Sequence, residues 1–371
     1  MAKKYKDLTG LDPTKPQQAG DVERLPAGQI VFLAPHPLPT GEAALNEGAV
    51  SELNDTWLDY GAGWPGVFGN QLILGGAFKG FLLIAVVAPL LLSPFMSQRQ
   101  FNALADGFII NGLYIAAVVL FFGLWGVLSV YSKRKKVIPT RFHRQRREVC
   151  FVPESKNGNG YEAPVFVPWE SLRVWVFETR GATQYGVQQQ YGMGIGYVLP
   201  GTDKWVKTEF MTPALPLALA EWEALRGYME YEINSLDEVQ SPLAIREEGD
   251  PPWEGAHTIR NARRRLHRRR RNGEVGWFYT LGWYLYHLLT FWTLPGYLAE
   301  LETWLLRRSG KKTLPAEMVE WSKPLPEEQW AKPSAELVRL SEEARRIRNA
   351  DPQRPIEEVF AEAYRHQGIE A

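Results

Sequence analysis

A membrane α-helical hairpin joined to a soluble α+β domain is the fold class this sequence predicts, on three observations. Two long apolar runs lie back to back, Gln71 to about Phe95 and Gly107 to about Tyr131. Each exceeds the roughly 20 residues that a helix needs to cross a bilayer core of about 30 Å. Short strand-like segments then follow from Pro139 onward, and a helix-periodic stretch closes them between Leu215 and about Tyr231. At 371 residues the chain has room for two or three folding units.

Taken in order, residues 1–70 carry Pro13, Pro16, Pro26, Pro35, Pro37 and Pro39 among many glycines. They read as a loosely structured cytosolic arm with one strand at Gln29–Leu33. Asn54 to Gly69, with Trp57, Tyr60 and Trp64, reads as an interfacial lead-in, because these rings pair an apolar body with a polar edge. The two apolar runs (71–131) form the hairpin, with Met96–Asp106 as its turn. Lys79 near the cytoplasmic end is expected to run its stem along the lipid and lift its ammonium to the headgroups. Asn111, Gly112, Gly123 and Gly126 are expected to serve close helix packing.

Charge sets the orientation. Formal charge balances, with 42 Lys plus Arg against 42 Asp plus Glu, but the basic excess gathers at 133–147 and 260–271. Lys133, Arg134, Lys135 and Lys136 directly follow the second run and are the topology-determining residues, since short Lys/Arg-rich flanks stay in the cytoplasm. Two crossings then put both termini inside, as in a multi-pass bacterial inner-membrane protein. The basic start Met1–Lys6 has no apolar core behind it, which argues against a cleaved signal peptide. Cys150, the single cysteine, excludes an intramolecular disulfide.

Past the hairpin, strands are expected at Arg146–Val152, Ala163–Pro168, Arg173–Glu178, Tyr185–Gln190, Met193–Leu199 and Trp205–Phe210. Turns are expected at 158–160 and 200–203. The helix over 215–231 carries Leu219, Trp222, Leu225, Tyr228 and Met229 on one face. Together, 139–232 reads as one α+β module. The order of these elements, with "VPWESLRVWVFE" and "ALAEWEALRGYMEY", resembles a pleckstrin-homology-like (PH-like) barrel. With "RFHRQRREVCFV" at 141–152, the chain also resembles an uncharacterised proteobacterial family of two-span inner-membrane proteins. The resemblance covers roughly 71–310. Members of that family are often encoded beside type VI secretion effectors, which implies an accessory or immunity role and carries over no catalytic residue.

Residues 233–274 read as a linker bearing an Arg-rich strip: Arg260, Arg263, Arg264, Arg265, Arg268, Arg269, Arg270 and Arg271. Three roles compete for it. Anionic lipid headgroups contribute about 1 kcal/mol per basic residue near the surface. Nucleic-acid phosphates would release counterions. A solvated helix face needs no partner at all. The next segment, Val275–Ala299, has no Asp, Glu, Lys or Arg and is crowded with aromatics, which favours lipid. Over 275–306 the expectation is an interfacial or re-entrant helix, because both flanks are basic and Pro295-Gly296 interrupts it. A third crossing is the runner-up. A helical tail, 313–371, with helices near 334–349 and 356–365, either packs on a domain or docks a partner.

No catalytic constellation emerges. The six histidines are scattered, and no His-Glu-x-x-His pair or second cysteine completes a metal site. Gly192-Met193-Gly194-Ile195-Gly196 lacks the spacing and the following helix of a dinucleotide fingerprint, and a β-hairpin is the simpler reading. Cys150 alternates with Val149 and Phe151 as a buried residue of a strand. The expectation is a non-enzymatic, cofactor-free membrane protein acting through protein–protein recognition, with Trp169, Trp175 and Trp222 in its core. Two alternatives stay open: a membrane-tethered nucleic-acid binder, and a lipid-acting enzyme using His143, His257 or Asp106.

Overall fold

The computed structural model describes residues 10–12, 15–46, 48–61, 63–154, 160–183, 186–202, 204–239, 245–247, 249–310 and 314–366. The turn expected at 158–160 and the positions Tyr185 and Asp203 lie wholly or partly outside them. Ten strands and ten helices are described. The strands are β1 (Val22–Leu25), β2 (Gly28–Ala34), β3 (Val50–Leu53), β4 (Trp57–Tyr60), β5 (Thr140–His143), β6 (Glu148–Phe151), β7 (Val165–Pro168), β8 (Arg173–Thr183), β9 (Gly186–Val198) and β10 (Trp205–Thr212). The helices are α1 (Val67–Leu82), α2 (Ala88–Leu92), α3 (Gln98–Arg134), α4 (Leu215–Met229), α5 (Ala256–Arg271), α6 (Trp277–Leu289), α7 (Leu294–Gly310), α8 (Ala316–Trp321), α9 (Ala335–Ala350) and α10 (Ile356–His366). They divide into two compact units of interleaved chain. The first is Met1–Gly63, Ile138–Pro242 and Leu314–Ala371, and the second is Trp64–Val137 and Leu243–Thr313.

The first unit is an α+β domain with two antiparallel five-stranded sheets, ordered β1-β2-β8-β9-β10 and β3-β4-β5-β6-β7. Neither sheet closes on itself, so no barrel closure is seen. Three expectations are corrected here. The described part of the arm over 1–70 is not loose, because it supplies four strands, two to each sheet. Its prolines 35, 37 and 39 fall just past the end of β2, where no ladder donor is needed. Trp57 and Tyr60 lie within β4 rather than in an interfacial lead-in. Nor is 139–232 a self-contained module, because β5–β7 and β8–β10 go to different sheets. Tyr60 pairs with Thr140 and Trp57 with His143, although the whole apolar hairpin lies between them in sequence.

A single apolar core joins these pieces. It includes Leu33, Leu58, Tyr60, Phe142 and Val149 from the strands, Trp169 from the 3-10 turn after β7, and Trp222 and Tyr228 from α4, with Leu340, Ala344 and Phe360 from α9 and α10. The C-terminal tail therefore packs on this unit. Trp169 and Trp222 lie 5.4 Å apart, centroid to centroid, and are fully buried. A smaller cluster around Phe32, Trp175 and Phe177 covers the other face of the first sheet. There Gly194 and Gly192 of β9 leave room for the Trp175 and Phe177 rings, and a Cβ at either position would overlap them. The apparent glycine motif is thus a strand shaped for aromatics. The two short strands expected over 185–199 are one continuous β9, paired with β8 from Gly186 to Gly196.

The second unit is helical. α1, a π-turn (Leu83–Val87), α2 and a 3-10 turn (Ser93–Phe95) run as one apolar rod over 67–95. The π-turn precedes Pro89, which cannot donate to the carbonyl one turn back. Only Met96 and Ser97 separate this rod from α3, a tighter turn than the sequence implied. Ser97 caps α3 by exchanging hydrogen bonds with Gln100. At 1.5 Å per residue, 29 and 37 residues span about 43 and about 55 Å. Both are long and apolar enough to cross a membrane. Glycines let them approach: Gly112 sits against Phe81 and Ala85, Gly123 against Ile73, and Gly80 against Ile115. Gly126 has nothing near it, so it plays no part in that packing.

Candidate functional site

Arginines gather in two places, and their surroundings differ. The first is the β5–β6 hairpin, in the first unit. Arg141 forms a two-pronged pair with Asp59, Nε to Oδ1 at 2.6 Å and Nη2 to Oδ2 at 2.7 Å. Its guanidinium also lies 3.7 Å from the centre of the Trp57 ring and donates to the Ser322 hydroxyl. Arg144 donates to the Asp55 carbonyl and to Asn234, over the Tyr228 and Tyr231 rings. Arg147 grips both oxygens of Glu230, at 2.8 and 3.0 Å, and reaches Glu170. Trp321 and Leu325 of the tail bond Glu148 and Gln145. This hairpin therefore ties together all three chain segments of its unit. The three arginines are buried and paired, so they add nothing to the exposed basic flank after Tyr131. Lys133, Lys135 and Lys136 are exposed and Arg134 is half-buried.

His143 ends β5 in the same hairpin, fully buried against Trp321. Its Nε2–H donates to the Lys323 carbonyl and its Nδ1 accepts from the Arg146 amide, which the neutral ring alone can do. Burial, with Arg146 and Arg141 nearby, pushes its pKa down to about 4. Cys150 is buried too, and burial pushes its thiol up to about 12, so it is inert as a nucleophile at neutral pH. His143 belongs to the first unit, whereas His257 and Asp106 belong to the second. Among the described residues no group of three or more His, Cys, Asp or Glu side chains is placed to hold a metal.

The second arginine cluster is a helix rather than a linker. α5 begins where Glu300 accepts the Ala256 amide, and Gly255 donates to the Thr258 hydroxyl. Asn261 is held by the Ile245 carbonyl and Asp250. Gly273, in the left-handed region, ends the helix. Ala256, Ile259 and Leu266 are buried on one face, while Arg260, Arg263, Arg264, Arg268, Arg270 and Arg271 are exposed and Arg265 and Arg269 half-buried. Four arginines in the last turn complement the helix dipole. Arg264 pairs with Glu247 and Arg269 with Glu274. Arg263, Arg268, Arg270 and Arg271 have no carboxylate partner among the described residues. Arg270 instead lies over Trp277 and Arg269 over Tyr279, the first residues of the aromatic stretch.

That stretch is not one helix. α6 and α7 are separated by a turn in which Phe291 and Trp292 both take positive φ, 61° and 54°. Stacking holds it: Trp283 on His287 at 3.7 Å, and Tyr284 on Trp292 at 5.7 Å. At 13 residues, α6 reaches about 20 Å, short of a bilayer core. Only the two long helices qualify as spans among the described residues. Trp277, Phe278, Leu281, Leu285 and Leu288 are exposed along α6. Gly75 of α1 lets Thr290 approach closely, and Lys79 places its ammonium over the Tyr286 ring at 5.1 Å. Lys79 thus has a ring partner that hydropathy did not reveal.

In the sequence Arg307 and Arg308 belong to the basic flank that follows the aromatic stretch. In the structure each lies over an indole, Arg307 over Trp253 at 4.7 Å and Arg308 over Trp304 at 5.5 Å, at the rim of a cavity of about 610 Å³. The Trp304–Arg308 spacing of four residues was the one available signal. No protein-family model, curated protein or solved structure matches this chain.

Proposed function

We propose that this protein is a non-enzymatic, inner-membrane-anchored accessory or immunity-type protein that acts by recognising another protein. In this reading the two long helices cross the bilayer and both chain ends stay in the cytoplasm. The first unit is a PH-like recognition module, and α5 with α6 rests on the anionic inner leaflet. A secreted effector of the type VI class is the partner implied by the family resemblance.

One observation carries the membrane part. In the most apolar window of α3 no residue is buried, and Leu113, Tyr114, Phe121, Phe122, Trp125 and Leu128 are all exposed. Water does not tolerate so large a continuous apolar surface, and lipid does. The pairing of Tyr60 with Thr140 supports an even number of crossings, since the chain leaves and re-enters the first unit at adjacent strands. The expressed protein should resist carbonate extraction from membranes, and a C-terminal tag should stay protected from protease added outside spheroplasts. Extraction into the soluble fraction, or cleavage of the tag, overturns the anchor. The immunity role is tested by co-expression with a toxic effector encoded next to it. Unrelieved growth arrest removes that role and leaves the anchor standing.

A further inference from the structure

We propose that the cavity between α7 and the loop before α5 binds the phosphate-bearing headgroup of an anionic phospholipid. Its lining includes Trp253, Glu300, Thr303, Trp304, Arg307 and Arg308. The two guanidinium groups are pre-positioned, each held over an indole face, and neither has a carboxylate partner among the described residues. Planar, forked donors of this kind match a phosphodiester. Glu300, the one acid on the wall, already accepts the first amide of α5 at 2.9 Å and faces His257 at 3.7 Å. Its charge is committed there, and the cavity keeps a net positive rim. Thr303 is 1% exposed, and its hydroxyl has no hydrogen-bond partner, so the wall carries an unused polar group.

Depth selects a lipid over a soluble phosphate. Trp253 meets Trp64 at 5.7 Å, and its neighbour Glu254 accepts the amide of Val67, the first residue of the first apolar rod. α7 packs along α1, with Leu301, Trp304 and Leu305 exposed. The cavity therefore lies beside the start of a span, at the level where indoles and headgroups meet. Its volume suits a headgroup with the upper part of its glycerol.

This site rests on the membrane reading above, and the test separates the two. Full-length protein, purified in mild detergent, is titrated with phosphatidylglycerol, phosphatidylcholine or inorganic phosphate and examined by native mass spectrometry. The expected result is one tightly held phosphatidylglycerol, weakened at least tenfold in the Arg307→Gln/Arg308→Gln variant. An Arg263→Gln/Arg268→Gln/Arg271→Gln variant should retain it. Unchanged melting and unchanged membrane fractionation of the double variant exclude misfolding and leave the anchor intact. Equal lipid retention by wild type and the double variant overturns the site. Displacement of the lipid by millimolar inorganic phosphate overturns its assignment to a lipid.

Discussion

The β5–β6 hairpin and helix α5 are both runs of arginine, yet one is inside the protein and the other outside. Arg141, Arg144 and Arg147 each meet a carboxylate or carbonyl brought from a distant part of the chain, within 3.3 Å. On α5 the acidic partners are fewer than the arginines and come from nearby sequence, Glu247 and Glu274. The buried set therefore acts as mortar and the exposed set as a charged face. Arginine density does not tell these roles apart. The acids Asp55, Asp59, Glu170 and Glu230 do, and they come from different strands, turns and helix ends.

Removing one buried partner should give the largest effect. Arg141→Ala leaves Asp59 buried without its counter-ion, and the first unit should lose about 3–5 kcal/mol. Denaturant unfolding in detergent, followed through its buried tryptophans, measures this. A loss under 1 kcal/mol would show that the hairpin is not holding the unit together.

Acid should probe the same hairpin through His143. Its folded pKa near 4 lies below the unfolded value near 6.5, so the unfolded chain takes up the proton first. Stability should be full above pH 6.5, fall as pH drops toward 4, and level off below that, by about 3 kcal/mol in all. His143→Gln should flatten this slope, and an unchanged slope would assign it to other groups.

A smaller change tests geometry rather than charge. Arg147→Lys keeps the cation but cannot grip both oxygens of Glu230, and should cost about 1–3 kcal/mol in the same unfolding assay. The smallest stability effect belongs to α5. Arg263, Arg268 and Arg271 changed together to Gln should alter stability by less than about 0.5 kcal/mol. The same variant should show less enrichment of phosphatidylglycerol over phosphatidylcholine in polymer-extracted nanodiscs, while keeping the one lipid held at Arg307 and Arg308. A marked drop in stability there would erase the contrast between the two clusters.

Much of the local structure was legible. The apolar runs at 71–95 and 107–131 fall within two helices that are long and apolar enough to cross a membrane, as their length and composition imply. Alternation placed β6, β7, β8 and β10, and helical spacing placed α4, α9 and α10. The failures have more than one cause. The proline-rich first seventy residues read as loose because β1, β3 and β4 are short, and β2 and β4 join their sheets through partners far along the chain, such as Ile30 against Phe177 and Trp57 against His143. The aromatic stretch read as one helix because Phe291 and Trp292 are not residues that announce a left-handed turn. The Arg307–Arg308 cavity was hidden because Trp253 comes from another segment.

The sequence by itself determined which stretches are apolar enough for lipid, where most strands and helices lie, and where positive charge is dense. Those properties are sums over neighbouring residues. Only the tertiary structure decided that one domain is assembled from three separated pieces, and that one arginine run is buried while the other is bare. Burial of a charge depends on whether a counter-charge arrives in space, and that is settled by long-range strand pairing and core packing rather than by composition.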